Sequence, residues 1–229
     1  MSFLFDIHVH TAESSNCGRV TAADAVKRYR ALGYDGLCIT DHMNKQNAEN
    51  RGNTYEEKAR DFLKGYRAAR EAAGDDFKII LGMEIRFLDA DNDYLVFGLD
   101  EEKIFKADLT MFENLREFRK FADENSLIIF QAHPFRQNMK IVDPALLDGM
   151  EVYNGHGGHD SRNDIAYRWA EKYGLRMSSA SDFHYDTGME PGGIYLDEMP
   201  EDSAHLAKLL LENRYRLKTF VTGTSDRNS

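Results

Sequence analysis

The sequence predicts an α/β domain, with strands closing toward a barrel rather than spreading into an open sheet. Three observations carry that expectation. Short apolar runs alternate with longer amphipathic runs about seven times along the 229 residues. Apolar residues in the longer runs step by four and three, the spacing of one helix face. Residues able to bind metals fall just beyond the short runs, where strands would end. Strands alternating with helices pair in parallel through right-handed crossovers, and about seven such units in one domain-sized chain favour a barrel.

Residues 3–8 (FLFDIH) read as the first strand. His8 and His10 are two apart, so they share a face and form its last inward positions. Residues 21–32 read as a helix: Thr21 caps it with Asp24 three residues on, and Ala22, Val26, Tyr29 and Leu32 share one side. Gly33 ends it. Residues 36–40 (GLCIT) are the second strand. Tyr55, Ala59, Phe62, Tyr66, Ala69 and Ala73 then step by four and three, an amphipathic helix. Residues 77–81 (FKIIL), closed by GMEI, are the third strand, and 94–97 (YLVF) the fourth. A helix over 109–122 leads to a strand at 127–130, and a short helix at 144–147 to a strand at 150–153. Residues 165–173 are helical with Ile165, Trp169 and Tyr173 in register. Strands at 175–180 and 194–196, a helix at 203–213 and a strand at 217–221 complete a single domain, 1–223, with 224–229 a frayed tail.

Hydrophobic residues make up 42% of the chain, enough for a folded core. The net charge of -10 counts against a general nucleic-acid or anionic-membrane surface, leaving short oligonucleotides as the only nucleic-acid partner considered. No apolar stretch approaches bilayer length, and no secretion signal precedes Phe3. Two cysteines, Cys17 and Cys38, make no disulfide framework, so the expected compartment is the cytosol. A homo-oligomer is compatible with all of this.

At the expected strand ends stand His8-Val9-His10, Thr40-Asp41-His42, Glu84, Gly98-Leu99-Asp100, Gln131-Ala132-His133-Pro134, Asn154 with His156 beyond it, and Ser181-Asp182-Phe183-His184. Seven of the eight histidines lie beyond strand ends; His205 alone falls in a helix. In a parallel barrel all strand C-termini meet at one mouth. Singly, His133 could cap a strand, Asp41 a turn, and Glu84 could be solvated. Together, so many imidazoles and carboxylates are costly to bury without cations. Zinc, manganese and iron suit such donors, and carboxylates can bridge them, which points to a multi-metal centre.

The ordered set DIHVHT, ITDH, GMEI, AHP, EVYN and SASDFH, running from Asp6 to His184, resembles the PHP superfamily, named for polymerase and histidinol phosphatase. The resemblance implies a distorted (β/α)7 barrel, two or three divalent ions and phosphoester hydrolysis. It implies that His8, His10, Glu84 and Asp182 hold one ion. Glu84 would bridge to a second, which His133 also binds, and His42 and His184 would hold a third. Asp100 stands where the family often has a histidine, and it can still ligate. Asn16 stands where the third ion often has a histidine, so that ion is expected to be the weakest held.

Such ions activate water and neutralise phosphoryl oxygens. Glu84, Asp182, Asp41 and Arg136 are the expected catalytic residues. Asp182 and Asp41 would orient or accept protons, with Asp41 favoured as a partner fixing the tautomer of a ligand histidine. Arg136 and Arg86 are candidates for a fork on phosphate; Arg19 and Lys45 are weaker ones. Pro134 is expected to hold His133 extended, aiming Arg136 over the pocket. His156 and His159, in GHGGH, read as a flank of the substrate pocket, and the small polar residues after His10 as its border. The expected activity is hydrolysis of a small soluble phosphomonoester or phosphodiester. The alternatives are a histidinol-phosphate phosphatase, an oligonucleotide-processing nuclease and a non-catalytic metal-binding regulatory domain. An amidohydrolase would carry a bridging lysine, and none stands at a strand end.

Overall fold

A computed structural model describes residues 2–49, 51–185 and 191–219. The chain runs β1 (Phe3–Val9), α1 (Ala22–Ala31), β2 (Gly36–Ile39), β3 (His42–Met43), α2 (Lys45–Ala48), α3 (Tyr55–Ala73), β4 (Lys78–Leu81), β5 (Met83–Arg86) and β6 (Asp93–Phe97). It continues through α4 (Glu101–Ile104), α5 (Leu115–Glu124), β7 (Ile128–Gln131), a 3-10 turn (Pro144–Leu146), β8 (Gly149–Asn154) and α6 (Asn163–Tyr173). Last come β9 (Arg176–Ala180), β10 (Gly193–Leu196), α7 (Ser203–Leu211) and β11 (Tyr215–Lys218). The end of the expected final strand, at Val221, and the expected tail lie outside the described residues.

The strands form two mixed sheets, ordered β11-β10-β1-β2-β4 and β3-β5-β6-β7-β8-β9. β1, β2 and β4 are parallel, as are β7, β8 and β9. Uniform parallel pairing, expected from the alternation, fails at β6 and β10. β6 is antiparallel to both β5 and β7, and β10 to both β1 and β11. Residues 87–92 between β5 and β6 are too few for a crossover, which takes a dozen or more, so the chain turns straight back. No continuous ladder joins the two sheets among the described residues. They meet where β2 runs into β3 and β4 into β5, and at an isolated parallel bridge between Val9 and Phe183.

β1 shows how the sheet aims the histidines. Phe5 and Ile7 pack in a core with Leu95, Phe97, Phe130 and Leu206. Leu4 and Val9 pack in a different core, with Val26 and Tyr29 of α1. Leu4 and Val9 are five apart, so strict alternation cannot place both on one side. The strand slips phase: its pairing with β2 shifts register between Asp6 and Val9. That slip turns His8 and His10 to the side that Phe5 and Ile7 occupy.

The amphipathic helix over 55–73 forms with its expected limits, opened by a reciprocal cap between Thr54 and Glu57. The helix expected from 109 starts only at Leu115, where Asn114 accepts a bond from the Glu117 N–H. In α6 the expected buried face is wrong. Ile165 and Tyr173 are 42% and 44% exposed, while the small residues Ala166 and Ala170 are buried and let the helix lie close on β8. No helix among the described residues is long and apolar enough to cross a membrane.

Candidate metal centre

His8 and His10 close β1, His42 opens β3, Glu84 lies in β5, His133 follows β7, and Asp182 and His184 follow β9. The fold brings these seven together and nearly excludes them from solvent. Glu84 is at their centre. Its Oε1 lies 3.4 Å from His8 Nε2 and 3.2 Å from His133 Nε2. Its Oε2 lies 3.2 Å from His10 Nε2 and 2.9 Å from His42 Nδ1. Asp182 Oδ1 stands 3.3 Å from His8 Nε2, 3.4 Å from His10 Nε2 and 3.2 Å from His184 Nδ1.

The donor set fits divalent cations. Buried polar atoms are ordinarily hydrogen-bonded. Here Glu84 Oε2, Asp182 Oδ1, His42 Nδ1 and His133 Nδ1 are buried with no hydrogen bond. The 2.9 Å approach of His42 to Glu84 therefore has the distance of a bond without its geometry. His8 Nε2 and His10 Nε2 point at each other 3.1 Å apart. Lone pairs aimed at shared points are what metal ligands present. The ligand atoms group as His8/His10/Asp182, His8/Glu84/His133, His42/Glu84/Asp93 and His10/Cys17/His42/His184, each within 4.8 Å.

Two members of those groups, Asp93 and Cys17, were not expected, and Asp93 takes the place expected for Asp100. Asp100 does not reach the centre. It caps α4 by accepting from the Lys103 N–H, and its side chain is 58% exposed. The reason is the direction of β6. β6 runs antiparallel to its neighbours, so its N-terminal end is the one that faces the centre, and Asp93 arrives there instead, 3.8 Å from His133 Nε2. Asn16 is exposed and accepts from Arg51. The next residue, Cys17, turns in and places its Sγ 3.0 Å from His184 Nε2.

Asp41 is buried, and both its oxygens are used by the loop after β1. Oδ1 accepts from the Thr11 N–H at 2.7 Å and the Ser15 hydroxyl at 2.6 Å, and Oδ2 from the Thr11 hydroxyl at 2.7 Å. Ser15 Oγ also lies 3.3 Å from His10 Nδ1, so Asp41 stands behind His10 through Ser15. Thr11, Ser14 and Ser15, expected along the border of a pocket, are buried anchors. Ser14 receives the Gly65 N–H, and a Cβ at Gly65 would collide with Thr11 and Asp41, which explains a glycine inside α3.

Arg86 grips Asp93 with two 2.7 Å bonds, while Arg136 makes a single 3.2 Å bond to it. Lys45 sits in α2 and Arg19 is exposed. His156 and His159 stack with centroids 4.4 Å apart; His159 Nε2 lies 3.6 Å from Asp182 Oδ2, at the edge of the centre. His205 is in α7, paired with Glu198.

Glu151, in mid-β8, is the residue that organises the centre from behind. Its Oε1 lies 2.9 Å from His8 Nδ1; its Oε2 accepts from the His133 N–H at 2.8 Å and Asn154 Nδ2 at 2.9 Å. A carboxylate on Nδ1 leaves Nε2 free to ligate. A charged residue alone in the apolar run MEVY was the available signal. Asn154 also donates to Asp182 Oδ2 at 3.1 Å. His133 and Asp182 both have positive φ, 26° and 51°, so the extended His133 expected before Pro134 is not formed. Bonds at the His133 N–H and ring hold it in this strained state.

Charge balance among the side chains of the centre follows the same geometry. Burial raises the Glu84 and Asp182 carboxyls, but His42 and His8 hold Glu84 well below its ordinary value, and His8 and His184 do so for Asp182. Burial lowers the imidazoles, but Glu84 lifts His42 to about 10 and Asp182 lifts His184 to about 11. Burial raises the Cys17 thiol, yet His184 and His42 bring it down to about 5. Asp6, below the centre, is pushed up by burial to about 6 while accepting from Ser181, Tyr29 and the His8 N–H.

The sequence profile of the PHP domain family matches residues 6–221. No curated protein is matched by sequence search. Among solved structures, one similar fold is a two-domain protein from Bacteroides vulgatus containing a predicted PHP-like metal-dependent phosphoesterase. It is 17% identical with TM-score 0.68, and the match covers 95% of this chain and 65% of that one, just under two thirds of its length. An amidohydrolase from Chromobacterium violaceum, with bound sulfate and no metal, is 16% identical with TM-score 0.57, covering 93% and 97%. A lesion-specific endonuclease from Pyrococcus furiosus is 12% identical with TM-score 0.63, covering 95% and 58%.

Proposed function

The chain belongs to the PHP domain family, and on that premise we propose that it hydrolyses a small soluble phosphomonoester or phosphodiester. Two or three divalent ions, zinc, manganese or iron, would be held by His8, His10, His42, Glu84, His133, Asp182 and His184, with Asp93 in the place expected for Asp100. In this reading the two sheets form the family's distorted (β/α)7 barrel, with the centre at its mouth. The observation that carries the proposal is the convergence of four imidazoles on the two oxygens of Glu84, with unpaired buried ligand atoms among them. Bound there, divalent ions would activate a water and neutralise phosphoryl oxygens.

The chain's own groups have separable roles in this reaction. Glu84 fixes the spacing of the sites because each oxygen serves two histidines. Glu151 keeps the His8 Nε2 lone pair inward. Asp182 keeps Oδ1 toward the centre while Asn154 occupies Oδ2, so Oδ1 is the oxygen placed to orient an attacking water. Asp41 acts by positioning: its oxygens are spent on Thr11 and Ser15. Arg136, held by one bond where Arg86 is held by two, is the guanidinium with donors to offer a non-bridging phosphate oxygen. Sulfate bound in the Chromobacterium protein supports a tetrahedral anion as ligand in this fold.

A panel of phosphomonoesters, phosphodiesters, short oligonucleotides, amides and lactones, assayed with metal-free and metal-loaded protein, tests the proposal. Metal-dependent release of phosphate or cleavage of a diester supports it. Turnover of amides or lactones alone would overturn it. The endonuclease neighbour favours oligonucleotides as the second reading, and a preference for them over small esters would establish it.

A further inference from the structure

We propose that Cys17 is a thiolate ligand, and that with His42 and His184 it builds a sulfur-containing metal site selective for zinc or ferrous iron over manganese or magnesium. This rests on the metal-centre reading above and deepens it. An all-nitrogen and oxygen site with Asn16 in the ligand position would hold its ion weakly. A site with a thiolate should hold it most tightly of all.

The placement of Cys17 is built rather than accidental. The loop after β1 is pinned at several points. Ala12 N–H donates to Val20 O at 2.9 Å, and Gly18 N–H to Ser15 O at 3.1 Å. Arg19 N–H donates to His184 O at 2.9 Å, tying the chain two residues past Cys17 to the segment that carries His184. A Cβ at Gly18 would lie 2.5 Å from the Thr11 carbonyl oxygen, so the chain can double back there only with glycine. Ser15 anchors the other side, donating to Asp41 and receiving the His42 N–H at 3.1 Å. Both histidine-bearing segments are thus tied to the loop that presents the sulfur.

The ligand atoms are close enough to share one tetrahedral ion once Sγ and Nε2 open by about 0.5 Å. Zinc–sulfur and zinc–nitrogen distances of about 2.3 and 2.0–2.1 Å put ligand atoms roughly 3.3–3.6 Å apart. Cys17 Sγ and His184 Nε2 are 3.0 Å apart, and the group including His10 and His42 lies within 4.8 Å. His10 also faces Glu84 and Asp182, so it is shared with the neighbouring site. Cys17 and His184 belong to this position alone, His42 is also within reach of Glu84 and Asp93, and the fourth place is left to His10 or to a solvent or substrate oxygen. Thiolate and imidazole favour zinc and ferrous iron, whereas manganese and magnesium favour oxygen donors. On binding, the protons shared among the sulfur and the two imidazoles leave to solvent, and each ligand atom supplies a bonding electron pair. Cys38, the other thiol, is buried in the apolar core with Phe5 and Ile80 and serves as an internal control.

Cobalt(II) is the probe, because cobalt bound to thiolate shows a near-ultraviolet charge-transfer band that nitrogen and oxygen ligands do not give. Metal-free protein titrated with cobalt should develop the band for one equivalent. Cys38→Ala should keep it and Cys17→Ser should lose it. Chelator competition should show zinc at this site released last in the native protein. Cys17→Ser should weaken that ion by at least the ten- to hundredfold, roughly, that loss of a ligand's partner costs. Full cobalt loading of the native protein without the band overturns the proposal, and that readout needs no variant to fold. Equal zinc retention in a folded Cys17→Ser protein also overturns it. The two readings separate cleanly. Phosphoester hydrolysis by cobalt-loaded protein lacking the band would sink only the Cys17 ligand. The band without turnover of any phosphoester would sink only the reaction.

Discussion

Replacing Glu151 by glutamine tests whether the centre is organised from behind. The substitution keeps the shape of the side chain and turns one acceptor into a donor. One carboxylate oxygen faces His8 Nδ1 at 2.9 Å; the other accepts from the His133 N–H and from Asn154 Nδ2. If the new amide nitrogen faced His133 and Asn154, two buried donors would lose their acceptor, at about 1–3 kcal/mol each. The amide therefore turns its nitrogen toward His8. His8 Nδ1 must then accept, its proton moves to Nε2, and the nitrogen aimed at the centre can no longer ligate. Loss of such a partner weakens metal binding by roughly ten- to hundredfold, or about 1.4–2.8 kcal/mol. Chelator competition on each ion in turn is the assay. The ions on His8 should weaken, while the ion on Cys17, His42 and His184 should not, since none of those side chains contacts Glu151. Unchanged affinity at the His8 sites, or equal weakening of every ion, would refute the reasoning.

Glu84→Ala should remove more than one equivalent of metal and abolish phosphoester hydrolysis, because both oxygens of Glu84 face two histidines; elemental analysis of the purified variant checks this. Asp93→Asn should lower metal content or affinity, whereas Asp100→Asn should leave both, and thermal unfolding, nearly unchanged, since asparagine caps a helix about as well as aspartate; elemental analysis and calorimetry of the two variants check this. In the metal-free protein His42 and His184 have folded pKa values raised to about 10 and 11 from 6.5, so their stabilisation is complete below pH 6.5 and is lost as pH rises through those values. The Tm of the metal-free protein should fall from pH 6.5 toward pH 10 and that of the metal-loaded protein should fall less, since bound ions replace the protons; parallel calorimetric profiles would contradict this.

The sequence exposed most of the strands and helices because their periodicities are local properties. It exposed His8, His10, His42, Glu84, His133, Asp182 and His184 as a set because their positions after apolar runs repeat. What it hid was strand direction. Nothing in YLVF distinguishes a parallel strand from an antiparallel one, so the sequence points to Asp100, three residues after it, and gives no sign of Asp93, the residue before it. Six connecting residues between β5 and β6 were the readable clue. Cys17 was hidden for a different reason. A loop can turn any of several adjacent residues inward, and only the contacts at Gly18, Arg19 and Ser15 select Cys17 over Asn16. In α6, large apolar residues drew attention to Ile165 and Tyr173, although close packing on β8 required alanine.

The ligands are also distributed in a way that bears on stability. His8 and His10 come from the five-stranded sheet; His42 and Glu84 come from the six-stranded one, and His133, Asp182 and His184 follow its strands. The edge where β1 meets the segment after β9 is held by the Val9–Phe183 bridge, with the Phe183 N–H donating to His8 O and the His10 N–H to Phe183 O. Every one of those bonds lies next to a ligand. Ions bound by His8, His10 and Asp182 would therefore link two sheets at a point where the backbone ladder is thin. Metal binding to the native state alone adds about 2.7 kcal/mol when free metal is a hundred times Kd. In this fold such ions would bind at the junction and beside the positive-φ residues His133 and Asp182. Such conformations cost of order 1–3 kcal/mol each and persist only where the surroundings over-determine them. Bound ions would thus offset the strain and brace the thin junction through the same ligands, a physical reason for a metal centre between the sheets.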